Sequence, residues 1–515
     1  HQGRRIQGMR MQNTGDVYAV NGWEAMPYDN HSGIVDIYRN CKGNPSTFTY
    51  YTQPLYVAVS PRTQFVHLPG KVPVDFYIVN EKNLSGKYRL SVFVCTPDGK
   101  EGKHIEKEVH ITGGDCFGQL LLEHCQLEIE GVSGLYQVKA QLRNASGHLC
   151  AEGKDEVLGI YWDKKQLKGK GALYGTPDDP VATFYQKATG CELPAFHSDI
   201  EKLDWIVVTR SSLDAPQPVP VEAFCQKEGK SVLELSLYKD DDLRTLAGVT
   251  QDNKIDRTFA DGAQPDPLLP ANQSFSAIWD GKLKAPQSGT YMIGVTSDQG
   301  MRLSVNGQRI VDEWRNNKEL TVVRPFLLKA GDEVAVRVEY SQRNPTGSVQ
   351  LVWSLPDHAA IAPQELLDRV KEDGTSLLLL KSAESWMDAV SAYTGSAYHG
   401  YYSVGKNWVG GVHFVKEHPL FNGLPVNVAM GWPYQALVRN GDRRLGLHID
   451  NEELVAGSYG SAPFNLGSAV GIISCGKGKI YYSTLDLVDN LNNPAAAADV
   501  ARKLFCNFIL LSKDR

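Results

Sequence analysis

The sequence predicts a multidomain, β-rich chain in which an all-β domain interrupts an α/β domain, and three observations predict it. At 515 residues the chain exceeds what one hydrophobic core serves, so several domains are expected. Apolar residues alternate at period two in two separate stretches, about 53–158 and 230–356, as half-buried strands require. Strand-like and helix-like runs alternate in about 159–229 and again in 357–515, so these flanks read as the halves of one discontinuous domain.

Bulk properties exclude some partners. The 53 basic and 59 acidic residues leave a formal charge of −6, and no Lys/Arg run tracks a phosphate backbone, so no nucleic acid is expected. No apolar run reaches the ~20 residues of a bilayer crossing, so no membrane span is expected. No signal-peptide pattern follows His1, and a chain without an initiating Met is expected to have lost its true start. Nine cysteines lie singly between Cys41 and Cys506 without a C-x-x-C pair, which predicts buried thiols rather than disulfides or a zinc site.

Residues 1–52 read as an incomplete domain: a strand at 16–20, a polar loop, and a helix carrying Ile34, Ile37 and Tyr38 on one face. One strand and one helix bury no core alone, so they read as the last β/α unit of a (β/α)8 barrel. In 53–158, Val72, Val74, Phe76 and Ile78 alternate with more polar neighbours. Tyr88, Leu90, Val92 and Val94 do the same, as do Tyr136, Val138, Ala140 and Leu142. Turns at sandwich-like spacing make this an immunoglobulin-like β-sandwich. The α/β domain is expected to hold a largely parallel sheet, with helices at 181–188, 363–372, 383–393 and 494–510. In 230–356, Tyr291, Ile293 and Val295 alternate, then Met301, Leu303 and Val305, and Asn306 with Gly307 signals a hairpin. Trp279, Trp314 and Trp353 lie on strand-like patterns and are expected in the core.

The insert carries the most specific pattern. Phe275, Trp279, Asp280 and Gly281, then Gly289 and Tyr291, then the run from Thr296 through Ser297, Asp298, Gln299 and Gly300 to Asn306 and Gly307, resemble the protective-antigen-type (PA-14) module. That resemblance implies a β-barrel, found in bacterial glycosidases, adhesins and toxins, whose members in many cases bind sugars. It also implies calcium on acidic loops, so Asp256, Asp261 and Asp298 are candidate sugar or calcium contacts. Loop aspartates also form turns, and that reading stands beside the first. Gln299 follows Asp298 where calcium-binding relatives carry consecutive aspartates.

Asn21, Gly22, Trp23 and Glu24, followed by Pro27 to Asp36 and by Tyr38, Arg39 and Asn40, are similar to the last strand, loop and helix of a family 2 glycoside hydrolase barrel. The resemblance puts Trp23 at the barrel mouth, either stacking on a pyranose or plugging the barrel. Glu24, Asn30 and His31 are then candidate hydroxyl contacts, with capping and loop hydrogen bonds the alternative. Retaining hydrolysis needs two carboxylates about 5–5.5 Å apart, and the family's pair is expected upstream of His1. No catalytic residue is assigned here.

His418, Pro419, Leu420, Phe421, Asn422, Gly423, Leu424 and Pro425, with Gly476, Lys477, Gly478 and the run from Ser483 to Leu487, resemble glutamine-amidotransferase-like domains of flavodoxin-like architecture. No cysteine stands in a Gly-flanked strand-to-helix elbow, so this domain is expected to be non-catalytic. Together these readings imply the accessory, carbohydrate-binding C-terminal part of a bacterial retaining β-glycosidase of the β-galactosidase or β-glucuronidase kind, periplasmic or extracellular. Its expected partners are a carbohydrate substrate and a missing N-terminal catalytic region, with no cofactor beyond the calcium noted above. The alternative is a stand-alone carbohydrate-binding or adhesion protein without catalysis.

Overall fold

A computed structural model of the chain describes residues 2–12, 41, 46–176, 178–197, 199–211, 217–227, 230–231, 233–317, 319–355, 363–403, 412–438, 445–460 and 465–513. The chain forms two compact units, one from His1–Arg210 with Leu366–Arg515 and one from Ser211–Glu365. The β/α unit expected around 16–38 lies outside the described residues.

Two helices, α1 (Gln2–Arg10) and α2 (Ser46–Tyr51), precede the first strands. Helix α1 was not foreseen from its basic, polar composition, and polar contacts hold it. Gln7 Nε2 donates to the carbonyl of Val59 at 2.9 Å, and Arg4 pairs with the buried carboxylate of Asp155 at 2.6 Å.

Eight strands follow: β1 (Leu55–Pro61), β2 (Phe65–His67), β3 (Gly70–Asn80), β4 (Gly86–Cys95), β5 (Ile105–Ile111), β6 (Gly118–Ile129), β7 (Gly134–Arg143) and β8 (Leu149–Ile160). They form two sheets, ordered β1-β3-β6 and β2-β8-β7-β4-β5. The alternating residues of the sequence face one another across the core: Val72, Val74, Phe76 and Ile78 with Leu90, Val92, Val138, Ala140 and Leu142. Each buried valine, leucine, isoleucine or phenylalanine among them contributes about 1.5–3 kcal/mol. The buried Tyr136 hydroxyl donates to the carbonyls of Glu130 and Val132, as a phenol taken out of water requires.

The same unit continues with β9 (Gly171–Tyr174), α3 (Pro180–Thr189) and β10 (Trp205–Val208). Helix α3 starts where Asp179 accepts from the Val181 amide at 2.8 Å and Pro180 takes the first turn.

In the second unit come three short strands, β11 (Gln217–Pro218), β12 (Gln226–Lys227) and β13 (Lys230–Ser231), then β14 (Leu233–Tyr238), β15 (Leu246–Asp252) and β16 (Asp256–Phe259). They are followed by β17 (Phe275–Lys284), β18 (Gly289–Ser297), β19 (Gly300–Val305), β20 (Gln308–Glu313), β21 (Leu320–Leu328), β22 (Glu333–Gln342) and β23 (Gly347–Ser354). Among the described residues these make a six-stranded sheet, β15-β14-β17-β22-β19-β20, a second sheet, β11-β23-β18-β21, with β16 on β23, and a two-stranded ribbon, β12-β13. Tyr291, Ile293, Val295, Met301, Leu303, Val305 and Trp279 fill a shared core. Trp314 and Trp353 are buried as well.

Back in the first unit lie α4 (Pro363–Asp368), β24 (Ser376–Leu379), α5 (Met387–Thr394), β25 (Tyr398–Ser403), β26 (Val412–Val415), β27 (Val428–Ala429), α6 (Gln435–Val438), β28 (Leu445–Ile449), β29 (Glu453–Gly460), β30 (Asn465–Cys475), β31 (Gly478–Ser483), α7 (Leu487–Asn490) and α8 (Asp499–Leu511). Strands β9, β10, β24 and β31 pair in parallel. The remaining ladders of this sheet, β25 to β30, are antiparallel. The sheet is therefore mixed, where the alternation of strands and helices predicts a largely parallel one. Parallel pairing needs a long crossover, whereas Gly476, at positive φ, turns β30 straight back into its neighbour β31.

Helix α8 lays Leu504, Phe505 and Phe508 into the core with Val207, Leu378, Val470 and Tyr481. Asp499, at its start, is buried and accepts from Trp162 Nε1 at 2.9 Å and Arg502 Nη1 at 2.6 Å. In the turn before β29, Glu452 accepts from the hydroxyls of Ser468 and Tyr482. Burial lifts its carboxyl above the usual carboxylate range, against the pull of those two donors. A Cβ at residue 471 would run into this carboxylate and the Tyr482 hydroxyl, so glycine leaves the pair undisturbed.

All nine cysteines are free thiols. Cys95, Cys475 and Cys506 are buried as expected, but Cys41 and Cys191 are exposed. Cys191 follows Gly190, the left-handed cap that ends α3, where the chain turns outward.

Candidate functional site

The insert holds a cleft of about 730 Å³, lined by three stretches distant in sequence: 256–265, 272–275 and 342–345. Strand β16 delivers the first, the entry to β17 the second, and the turn from β22 to β23 the third. Aromatic side chains lie beneath it. Phe259 stands edge-on to Phe275 at 5.0 Å and stacks on Tyr340 at 5.5 Å, and both phenylalanines are buried. Thr258, Asp261, Gln264, Asn272, Gln273 and Asn344 are exposed around it.

The two lining arginines are neutralised from within. Arg257 donates to Asp252 at 2.8 Å and lies 3.7 Å from Asp266. Arg343 donates to Asp241 at 2.9 Å and to the carbonyl of Trp314 at 2.7 Å. The rim therefore offers amide, hydroxyl and carboxylate groups rather than net positive charge. Such groups suit a neutral, hydroxyl-rich ligand, since a hydroxyl both donates and accepts.

Of the candidates read from the sequence, Asp256 and Asp261 come together on this cleft. Asp256 is engaged by Lys254 at 2.8 Å and Gln350 at 3.0 Å, and these bonds hold its carboxyl below the usual range. Asp298 stands elsewhere: its Oδ1 accepts from the Ser348 amide at 2.7 Å, and it does not line the cleft. Trp23, Glu24, Asn30 and His31 lie outside the described residues. Sequence reasoning passed over Asn272, Gln273 and Asn344. Asn344 carried a signal, because Asn followed by Pro345 after a strand marks a turn.

Calcium takes six to eight oxygen ligands. Among the described residues no three His, Cys, Asp or Glu side chains gather as a metal site would need. Asp298 is committed to a backbone amide, and the neutral Gln299 stands beside it. The donor set here does not fit that ion.

Residues 229–366 match the family described as the PA14 domain. The insert is a PA14 domain. The match covers well under half of the chain, so it speaks for the insert alone. The anti-sigma-I factor RsgI3 of Acetivibrio thermocellus is 29% identical over 117 residues, 23% of this chain and 18% of that protein. The chain thus spans less than a fifth of that relative's length. Among solved structures, a β-glucosidase from Kluyveromyces marxianus in complex with glucose is 16% identical, covering 42% of this chain and 28% of that one at a TM-score of 0.23. The PA14 domain of the MpAFP antifreeze protein is 13% identical, covering 27% and 90% at 0.20. The epithelial adhesin 9 A domain of Candida glabrata, solved with Galb1-4GlcNAc, is 12% identical, covering 28% and 92% at 0.21. Likenesses at these scores say nothing of ligand or activity.

Outside the PA14 domain, the run from His418 to Pro425 is consumed by structure. His418 Nδ1 accepts from the Leu420 amide, Leu420 and Phe421 are buried, and Asn507 donates to the carbonyls of Leu420 and Asn422. Burial lowers the His418 imidazole below its ordinary value, against the pull of nearby Glu453. Among the described residues no helix is long and apolar enough to cross a membrane.

Proposed function

We propose that the PA14 cleft is a carbohydrate-binding site, and that the chain is the accessory C-terminal part of a retaining β-glycosidase acting on polysaccharide or oligosaccharide outside the cytoplasm. The observation that carries the first half is the cleft itself, with its ring of exposed amide, hydroxyl and carboxylate side chains above buried aromatic rings. Its volume lies in the range of small-molecule sites, roughly 300–1,000 Å³. The PA14 match over 229–366 supports it, since the resemblance read from the sequence implies sugar binding.

The second half rests on the sequence resemblances. In that reading residues 1–52 end a family 2 barrel and 53–158 form a spacer sandwich. Residues 159–229 with 357–515 form a non-catalytic, amidotransferase-like scaffold around the insert. Trp23, Glu24, Asn30 and His31 then belong to the parent enzyme's substrate mouth. Both catalytic carboxylates belong to the barrel strands before it.

The test is glycan-array binding by the chain, compared with Asp261→Ala and Asn344→Ala. Each is expected to weaken the strongest signal by about tenfold or more, as loss of a polar ligand contact worth ~1.4 kcal/mol does. Full binding by the double variant, or no glycan bound by the wild type, removes the cleft from the proposal. For the parent enzyme, the decisive observation is whether the sequence encoded before His1 supplies two Glu-bearing barrel strands.

A further inference from the structure

Gln299 is 3% exposed, in the loop between β18 and β19. Its Nε2 donates to the Thr346 carbonyl at 3.0 Å, and its Oε1 accepts from the Arg343 amide at 3.3 Å. Both partners belong to the turn from β22 to β23, whose residues 342–345 are one wall of the cleft. We infer that Gln299 is a built-in clamp for this wall, so that the cleft is formed and takes its ligand without calcium. The ligand half rests on reading the cleft as a carbohydrate site.

The chemistry of the turn selects an amide. It presents one acceptor, the Thr346 carbonyl, and one donor, the Arg343 N–H. A carboxamide answers both, whereas a carboxylate accepts only and would set its charge against the carbonyl. The neighbours are arranged to admit this side chain. A Cβ at residue 347 would run into the Tyr340 hydroxyl and crowd Gln299 Cγ at 3.0 Å, so glycine leaves the room. Tyr340 donates to Gln342 Oε1 at 2.7 Å. Arg343 ties the other flank to Asp241 and to the Trp314 carbonyl.

The loop carrying Gln299 is likewise closed by protein groups. Asn316 Nδ2 donates to the carbonyls of Ser297 and Gln299, both at 3.2 Å. Ser297 Oγ donates to the Ser348 carbonyl at 2.7 Å, and Asp298 accepts from the Ser348 amide. Two side-chain oxygens of this loop, Ser297 Oγ and Asp298 Oδ1, are thus engaged by β23 rather than turned together toward a cation. Gln299 is thus a positioning residue, acting through the wall it holds.

The test uses the whole chain and two readouts. In the first, amide hydrogen exchange is followed over residues 343–348 and thermal unfolding is recorded, each with added calcium chloride or with EDTA. Neither addition is expected to change exchange or midpoint in the wild type. Gln299→Glu and the volume-matched Gln299→Met are expected to speed exchange at 343–348 about tenfold, the loss of one buried hydrogen bond of ~1.4 kcal/mol. In the second, binding to the best array glycan is expected to survive EDTA in the wild type and to weaken in both variants. Stabilisation of the wild type by calcium, or faster exchange in EDTA, overturns the clamp, as does unchanged exchange in Gln299→Met. If exchange behaves as expected while no glycan binds, the clamp stands and the carbohydrate reading of the cleft falls.

Discussion

Around Phe259 and Phe275 the PA14 domain leaves Thr258, Asp261, Asn272 and Asn344 in solvent. Around Tyr482 the mixed sheet instead turns Glu452 and Ser468 inward and closes their hydrogen bonds on one another. Both regions are β-rich with aromatic rings in the core, so composition does not separate them. Where the polar groups are spent does. Groups closed on each other stabilise a fold, and groups left open above a formed floor are free to recognise a ligand.

The largest expected effect breaks the floor. Trp279 is fully buried and donates from Nε1 to Asp252, the carboxylate that also holds Arg257 at the cleft. Trp279→Ala should destabilise the PA14 domain by about 3–5 kcal/mol, lowering its calorimetric transition and leaving that of the other unit in place. Next comes the first unit's own anchor. Asp499→Ala leaves Trp162 Nε1 without its acceptor and Arg502 without its counter-charge, though the carbonyls of Leu491 and Asn493 still hold the guanidinium, at a cost on the order of 3 kcal/mol. The expected outcome is the mirror image: the first unit's transition falls and glycan binding persists. One merged transition responding to both substitutions would refute the division of labour.

Glu452 sharpens the comparison through pH. Its folded-state carboxyl titrates above its unfolded value, so the unfolded chain gives up this proton first. Stability therefore falls as pH rises from about 4.3, the ordinary Glu value, through the raised folded value, and is level beyond it. Glu452→Gln keeps an acceptor for Ser468 or Tyr482 and removes the charge. It should melt higher than wild type at neutral pH, with the gap closing toward pH 4. A gap that does not vary with pH would assign the effect to packing. The smallest effect belongs to the rim: Asn344→Ala should change unfolding free energy by less than about 0.5 kcal/mol, even as it weakens binding.

Much of the PA14 domain was legible because its signals are local. Period-two alternation at Tyr291, Ile293 and Val295 became the buried face of β18. The Asn306 and Gly307 turn joins β19 to β20 with both residues at positive φ, the geometry a tight hairpin demands. The cleft was only half legible. Asp256 and Asp261 stood out as loop acids, but nothing local says that residues 272–275 and 342–345 meet them. The partners of Gln299 lie more than forty residues onward, as its bond to Thr346 shows. The mixed sheet misled for a related reason. Four apolar residues in a row, as in β10, mark a strand buried on both faces without saying which way its neighbours run.

The PA14 domain sits in the crossover between β10 and β24, which pair side by side, Trp205 with Ser376 through Val208 with Leu379. Just outside this ladder, Thr375 donates to the carbonyl of Leu203 across 172 positions of sequence. Chain synthesis must therefore complete the guest before the host can close. Through that interval β10 waits with Trp205, Ile206, Val207 and Val208 unpaired on the β24 side, the kind of short apolar segment that seeds aggregation. Asp204 and Arg210 bracket it closely. In the finished fold Asp204 accepts from the Lys170 amide and Arg210 lies over the Tyr174 ring, while on a growing chain charges that flank an apolar strand in this way oppose pairing with the wrong partner.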